Sequence, residues 1–452
     1  MSAGVRGPAL SEDRLPLPDS CLGCSSCVLA CPVASSDGRF AGPKVLGPAF
    51  ERLLGGPWPG EPGLGPRDAE ELGADLCLQC HQCDLACPAG VRVSSLTRGA
   101  KALARRLPKS AHRRLTDDLL ADQELFGRIA AVVRWPRSLL HGVSPWLGRA
   151  VDGFAGRLVG LHPRRRFPRP PRQSFRAWFE ATRRPREERG RQPVILFVGC
   201  HGRFHDPAVP RAAVVALRSA GYRVVPAQEV CCGSPALSVG DERRARRSLE
   251  ANARLLDHLS GRLGGGVPIV SPCPSCSLSL RDLLPELVGD RRARAVAAAV
   301  WDLGEFLAGP ARADLERAFD RRRHRGGDGV TPAGADKATV ISWTYHTSCH
   351  LRALGVGKPF LMLLSSLEAP GRLDAGPAAD GCCGMGGLSG LTREGHDLSL
   401  AAGARVLEAY RSLAPAGAVV LSDCPACRWQ IAEATGLKTA HPVELLAARL
   451  AT

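Results

Sequence analysis

Cysteine is the residue with chemistry to offer in this chain: there are 18 among 452 residues, and they fall into repeated clusters. Cys21, Cys24 and Cys27 are followed after three residues by Cys31-Pro32, and the run returns as Cys77, Cys80, Cys83 and Cys87-Pro88. Three thiolates at this spacing share one tight loop and can take three corners of a cubane cluster. The fourth cysteine leaves on the segment that follows and reaches the other cube. The spacing predicts two [4Fe–4S] clusters with crossed ligands: Cys21, Cys24, Cys27 and Cys87 in cluster one, and Cys77, Cys80, Cys83 and Cys31 in cluster two. Structural zinc sites use pairs of ligands, which two complete four-cysteine runs fit poorly. His81, between Cys80 and Cys83, reads as a loop residue.

The other ten cysteines form two sets of five. The first is Cys200, Cys231-Cys232-Gly233 and Cys273-x-x-Cys276; the second is Cys349, Cys382-Cys383-Gly384 and Cys424-x-x-Cys427. Both sets place 41 positions between the second cysteine of the pair and the CxxC, so this part of the chain is a duplication. Adjacent cysteines allow one sulfur to bridge irons while the other binds terminally. Gly233 and Gly384 let the backbone come close to the cofactor or take positive φ. Five thiolates exceed the needs of one cubane cluster or one zinc ion. The sets are read as one or two additional, non-standard Fe–S clusters, with zinc or buried free cysteines as the alternative in at least one half. His346 and His350 flank Cys349 and either bond to sulfur or serve structure. No flavin or nicotinamide fingerprint opens a strand–turn–helix, so no FAD or NAD is expected. There is also no evident acid, base or nucleophile set for substrate chemistry.

Elements must gather these cysteines. Apolar runs at 194–198, 267–270, 340–343 and 419–421 read as buried strands, the second weakened by Pro268. Helical patterns occupy 94–106, 210–220 and 243–259. Alternation of the two implies parallel sheets. The lone cysteine and the CxxC of each set follow a predicted strand, so each set should collect at the carboxyl end of its sheet. The expected order is a flexible leader (1–20), a two-cluster domain (21–108), a basic amphipathic helical linker (109–191), a first cysteine-rich α/β domain (192–310), a linker (311–337) and a second α/β domain (338–452).

Hydrophobic residues make up 44% and charged residues 23%, as in packed multi-domain proteins. No secretory signal is visible, so the cysteines are expected to stay reduced and bind metal rather than pair. No apolar run is long enough for a transmembrane helix. Residues 91–190 hold 23 Lys+Arg against 8 Asp+Glu, nearly the whole net charge of +16. Within 125–161, Leu125, Ile129 and Val132 form one apolar stripe and Val151, Phe154, Leu158 and Leu161 another. Trp135 and Trp146 sit near basic residues. Such helices lie on a bilayer surface, where each basic residue adds about 1 kcal/mol, or they pack on a partner subunit. No recognition motif supports nucleic acid as a partner.

The order of these parts resembles the redox subunits built on CCG domains, which include heterodisulfide reductase subunits and iron–sulfur subunits of glycolate and lactate oxidising systems. Finer features are similar to the iron–sulfur subunits of anaerobic glycerol-3-phosphate dehydrogenases. These are Gly42-Pro43-Lys44 with Gly47-Pro48, Ala86-Cys87-Pro88 with Val91 and Val93, and His346-Thr347-Ser348-Cys349-His350. Asp423 through Ile431 and His441-Pro442 with Leu445-Leu446 also fit. The resemblance implies an α+β multi-domain protein: an α-helical ferredoxin-like domain, then duplicated α/β cysteine-rich domains. It implies electron transfer from a flavin-bearing dehydrogenase subunit to membrane quinone, at the cytoplasmic face of the inner membrane as a peripheral protein. A glycolate or lactate oxidase subunit and a thiol–disulfide reductase are the alternatives. That family does not always keep both cysteines of the first CxxC, whereas Cys273 and Cys276 are both present.

Overall fold

Apolar runs become strands here, and every strand runs parallel to its neighbours. The computed structural model describes residues 20–54, 63–132, 144, 160–165, 171, 173–183, 188–325, 342–367, 371–376, 379–413 and 417–451. In it β1 (Pro193–Leu196) lies between β2 (Arg223–Pro226) and β3 (Ile269–Ser271), and β3 pairs with β4 (Val300–Asp302). A second sheet orders β5 (Trp343–Tyr345), β6 (Val419–Leu421) and β7 (Lys438–Ala440). β3 begins only after Pro268, which has no N–H for a ladder. Of the run expected at 340–343, residues 340 and 341 lie outside the described residues.

The two sheets repeat one device. In each, the strand before the lone cysteine lies beside the strand before the CxxC: β1 by β3, and β5 by β6. In the first sheet the chain leaves β1 for β2 on one side and returns to β3 on the other. The β1–β3 boundary is therefore the switch point at which open α/β sheets hold ligands.

Helices fill the crossovers, as parallel strands require. Glu242–Arg262 buries Ala245, Leu249, Ala253 and Leu256, a stripe at helical spacing, and the Asp241 carboxylate caps it by accepting from Arg244 N. The last helix, Pro442–Ala451, packs on Ala208–Ser219 of the first half. Val443, Leu446 and Leu450 share one apolar core with Val209, Ala213, Leu217 and Trp343. Arg312–Arg325, in the stretch read as a linker, is a helix, and Ala311 and Leu315 belong to the same core.

The N-terminal part is helical. Ser26–Leu29 and Gln82–Leu85 each follow a CxxC step and pack on each other, and Val93–Ala104 packs on the second. The fold is thus α+β, with a helical N-terminal part and duplicated parallel α/β units. In the basic segment, Ala111–Ala121 and Gln123–Val132 are helices, and residues 133–143 and 145–159, with Trp135, Trp146, Val151, Phe154 and Leu158, lie outside the described residues. So do residues 1–19 of the expected leader. Several of the segment's basic residues turn inward. Arg98 pairs with Glu286, Arg92 with Glu286 at 3.2 Å, and Arg105 with Asp241 at 3.6 Å. Arg165 is buried and donates to Glu433 at 2.8 Å and to Gly390 O at 2.8 Å. Part of the positive excess therefore clasps the α/β body. Among the described residues no helix is long and apolar enough to cross a membrane.

Candidate metal centres

The first four-cysteine run curls because two residues take left-handed backbone, Gly23 (φ 70°) and Ser25 (φ 65°); the second repeats the turn at Gln79 (φ 52°) and His81 (φ 58°). Cys21, Cys24, Cys27 and Cys87 line one small cavity, flanked by Lys44, Pro48 and Val91. Cys87 Sγ accepts from Val91 N at 3.3 Å. Burial, with Cys21 and Cys87 close by, raises the Cys27 thiol. Cys31 lies with the second run. Its thiol is pushed up to about 12 by burial, with Cys80 and Cys77 as charged neighbours, and Cys83 is raised by burial near Asp84, Cys80, Cys77 and Cys31.

Each loop also has a lysine. Lys44 Nζ donates to Gly23 O at 3.0 Å and to Ser25 Oγ at 3.1 Å, and Lys101 Nζ donates to Cys77 O at 2.6 Å. Lys101 is buried, on the stripe of Val93, Thr97, Ala100 and Ala104. A lysine at an apolar position of a helix was a readable signal that sequence analysis passed over.

In the first α/β unit the five thiols form one contact chain. Cys200 and Cys231 are 3.9 Å apart, Cys231 and Cys276 both lie against Cys232, and Cys273 lies against Cys276. Hydrogen bonds from Cys231 and Cys276 pull Cys232 well below the ordinary thiol range. In the second unit Cys349 adjoins Cys382, Cys383 Sγ is 3.2 Å from Cys427 Sγ, and Cys427 adjoins Cys424, which the Cys427 bond lowers to about 7. His346 is fully buried beside this set. Its Nδ1 donates to Ala379 O at 3.2 Å, and burial lowers its pKa to about 4. Gly233 and Gly384 have φ of 87° and 86°, and each lays its CC loop against a helix. A Cβ on Gly384 would stand 1.9 Å from Ser399 O.

Sequence reading missed how the sets join. The Cys80 thiol lies against Cys382, so the second four-cysteine set touches the second set of five. His350 links three loops: Nε2 donates to Gln79 O at 3.1 Å, and Nδ1 accepts from Ser275 Oγ, between Cys273 and Cys276, at 2.7 Å. A cavity of about 140 Å³ opens beside Cys200 and Cys273, walled by His201, His205, Met385, Leu388 and Trp429. Burial lowers His205 to about 4. Such contacts join residues hundreds of positions apart and leave no local sequence mark.

The donor chemistry fits Fe–S centres. All 18 cysteines are free thiols, half of them are buried, and only Cys24 is exposed. Buried thiolates crowd one another unless a cation neutralises them, and thiolate sulfur is the soft donor that iron–sulfur clusters use. Comparison with known proteins agrees. The profile of the "4Fe-4S dicluster domain" matches residues 18–91, and that of the "Cysteine-rich domain" matches 194–281 and again 343–432. Lactate utilization protein A of Anoxybacillus flavithermus is 30% identical over 43% of this chain and 73% of its own length. The chain belongs to the cysteine-rich-domain family of iron–sulfur redox proteins. A subunit of the anaerobic glycerol-3-phosphate dehydrogenase of Escherichia coli (strain K12) is 26% identical, covering 96% of this chain and 98% of the relative. A subunit of the fumarate reductase (CoM/CoB) of Methanothermobacter marburgensis is 25% identical over 91% of this chain and 67% of its own length. As a family member, the chain is an iron–sulfur electron carrier.

Proposed function

We propose that this chain is the iron–sulfur subunit of an anaerobic sn-glycerol-3-phosphate dehydrogenase complex. It takes electrons from a flavin-bearing partner subunit and passes them towards membrane quinone. Cys21, Cys24, Cys27 and Cys87 would hold one [4Fe–4S] cluster, and Cys77, Cys80, Cys83 and Cys31 another. The five-cysteine sets would hold the remaining centres. Bound there, the clusters supply one-electron storage and transfer.

The observation that carries this reading is the contact of Cys80 with Cys382, which joins the second four-cysteine set to the second set of five, while His350 ties the Ser275 loop of the first set of five to Gln79 beside Cys80. At the first four-cysteine run Cys24 is exposed, with Leu22 and Leu29 at 72% and 87% exposure as an apolar rim for a partner. At the first set of five, the cavity beside Cys200 and Cys273 is apolar, as a quinone ring requires. Full-length similarity to the Escherichia coli relative supports the choice of dehydrogenase. Membrane attachment through the basic segment rests on the residues between 133 and 159, since several of the described arginines are engaged within the chain.

The test is the complex reconstituted with its flavoprotein. Glycerol 3-phosphate should reduce a soluble quinone analogue, and Cys382→Ser should slow that at least tenfold while iron of the first two sets stays bound. Quinone reduction that is indifferent to Cys382, or driven only by glycolate or lactate, would sink the proposal. The cavity favours a second reading, reduction of a small disulfide at the first five-cysteine set. Disulfide reduction by the purified chain, lost in Cys232→Ser, would establish it.

A further inference from the structure

The two α/β units are built alike, and one position breaks the likeness. Three residues before its lone cysteine, the first unit has Phe197 and the second has His346. The two are equivalent in backbone register. Phe197 N donates to Val270 O at 2.9 Å, on the strand before the first CxxC, and His346 N donates to Leu421 O at 2.8 Å, on the strand before the second. Both side chains are fully buried. A histidine in a site where its sister unit keeps phenylalanine must find polar partners.

It finds only one. Nδ1 donates to Ala379 O, which fixes the tautomer and leaves Nε2 with a lone pair. That Nε2 is buried and has no hydrogen-bond partner. A ring nitrogen of His346 and the Sγ atoms of Cys383 and Cys427 all lie within 4.8 Å of one another. Tyr410 packs edge-on to the ring, 5.8 Å between centroids, and its hydroxyl bonds to the same Ala379 O. A metal-bound imidazole has this form: one nitrogen on a carbonyl, the other free towards thiolates, the ring held by packing.

The geometry points to His346 Nε2 as a nitrogen ligand of the metal centre held by Cys383 and Cys427. The second centre is then a mixed nitrogen–sulfur site, and the first is all sulfur. Replacing thiolate by imidazole raises the reduction potential of an iron–sulfur centre. The second unit would be the more oxidising of the pair, and Phe197 marks the first as the more reducing.

This inference rests on the reading that the second unit binds metal, and the test separates the two. The full chain is purified anaerobically with 15N-labelled histidine. Metal content and pulsed EPR are compared with those of Cys383→Ser, which identifies the second-unit signal by its loss. The expected result is a nitrogen coupling in that signal that changes from the 14N to the 15N pattern. It should vanish in His346→Phe, which copies the first unit, and in His346→Gln, with midpoint potential lowered in the Phe variant. If Cys383→Ser costs zinc instead of iron, zinc-edge absorption must show a nitrogen neighbour that His346→Phe removes. Metal bound in the second unit with sulfur neighbours alone, or a nitrogen signal persisting in His346→Phe, overturns the ligand. No metal lost in Cys383→Ser overturns the second centre itself. If neither His346 variant folds, a second-unit signal of the unmodified chain that shows no isotope change still overturns the ligand.

Discussion

At single residues, the close approaches around the thiols explain choices that composition hides. Gly384 and Gly221 both have φ of 86°, yet only Gly384 faces backbone, with Ser399 O 1.9 Å from where a Cβ would stand. Gly221→Ala should cost only the left-handed penalty, about 1–2 kcal/mol. Gly384→Ala must also push the CC loop off its helix, and a loss on the order of 4 kcal/mol or more follows. Urea unfolding of both variants checks this; equal costs would mean that the loop yields. Lys101 makes a second case. Its ammonium is buried, 2.6 Å from Cys77 O. A cluster with four thiolate ligands is anionic, and reduction adds another negative charge. Removing a neighbouring cation therefore disfavours the reduced form. Lys101→Met should lower one midpoint potential by on the order of 50–100 mV, taking an effective dielectric of about 20. A redox titration followed by EPR reads it, and an unchanged or raised potential contradicts the charge argument.

At the level of elements, His441 shows how a junction is locked. It stands between β7 and the last helix, accepts from Val443 N through Nδ1 at 3.1 Å, and donates from Nε2 to Pro272 O, in the other unit, at 2.9 Å. Both nitrogens are used by the neutral ring, and burial lowers its pKa from 6.5 to about 3. Between those values the unfolded chain binds a proton that the folded chain refuses. The stabilisation is complete above about pH 6.5 and drains away as pH falls towards 3, by up to about 1.4 kcal/mol per pH unit. Stability measured from pH 7 to 5 should fall less steeply for His441→Gln; parallel curves would remove His441 from the acid response. Sequence reading marked His441-Pro442 without finding this lock, and the pattern is general. β1, β3 and β6 were legible because apolar runs precede the cysteines. β2, β4 and β7 were not: β2 opens on Arg223, β4 follows without a break on the helix that ends at Ala299, and β7 is the partly exposed Lys438–Ala440. The five cysteines of each set could be expected at one sheet end, since strand and cysteine are neighbours in sequence. The Cys80–Cys382 contact and the bridge made by His350 arise from packing between units, which no local pattern encodes.

For the whole molecule, the placing of the thiols depends on units that do not stand apart. The last helix of the second unit buries Val443, Leu446 and Leu450 in the core that holds Val209, Ala213 and Leu217 of the first. Arg165 and Arg98 reach from the N-terminal half into the α/β body, onto Glu433 and Glu286. Electron transfer between fixed centres gains from such a frame, because separations set in folding need no motion to restore them. A shared core should also unfold as one. Leu446 is fully buried, so Leu446→Ala removes its packing and leaves a cavity, at about 2–5 kcal/mol. If the core is common, that loss appears in both units. Hydrogen exchange in the protein with its clusters bound should show amides of β1 and of β6 losing protection by a similar free energy. Loss confined to β6 and its neighbours would show instead that the first unit keeps its own stability, and that the cysteine sets are held together by contacts at the loops alone.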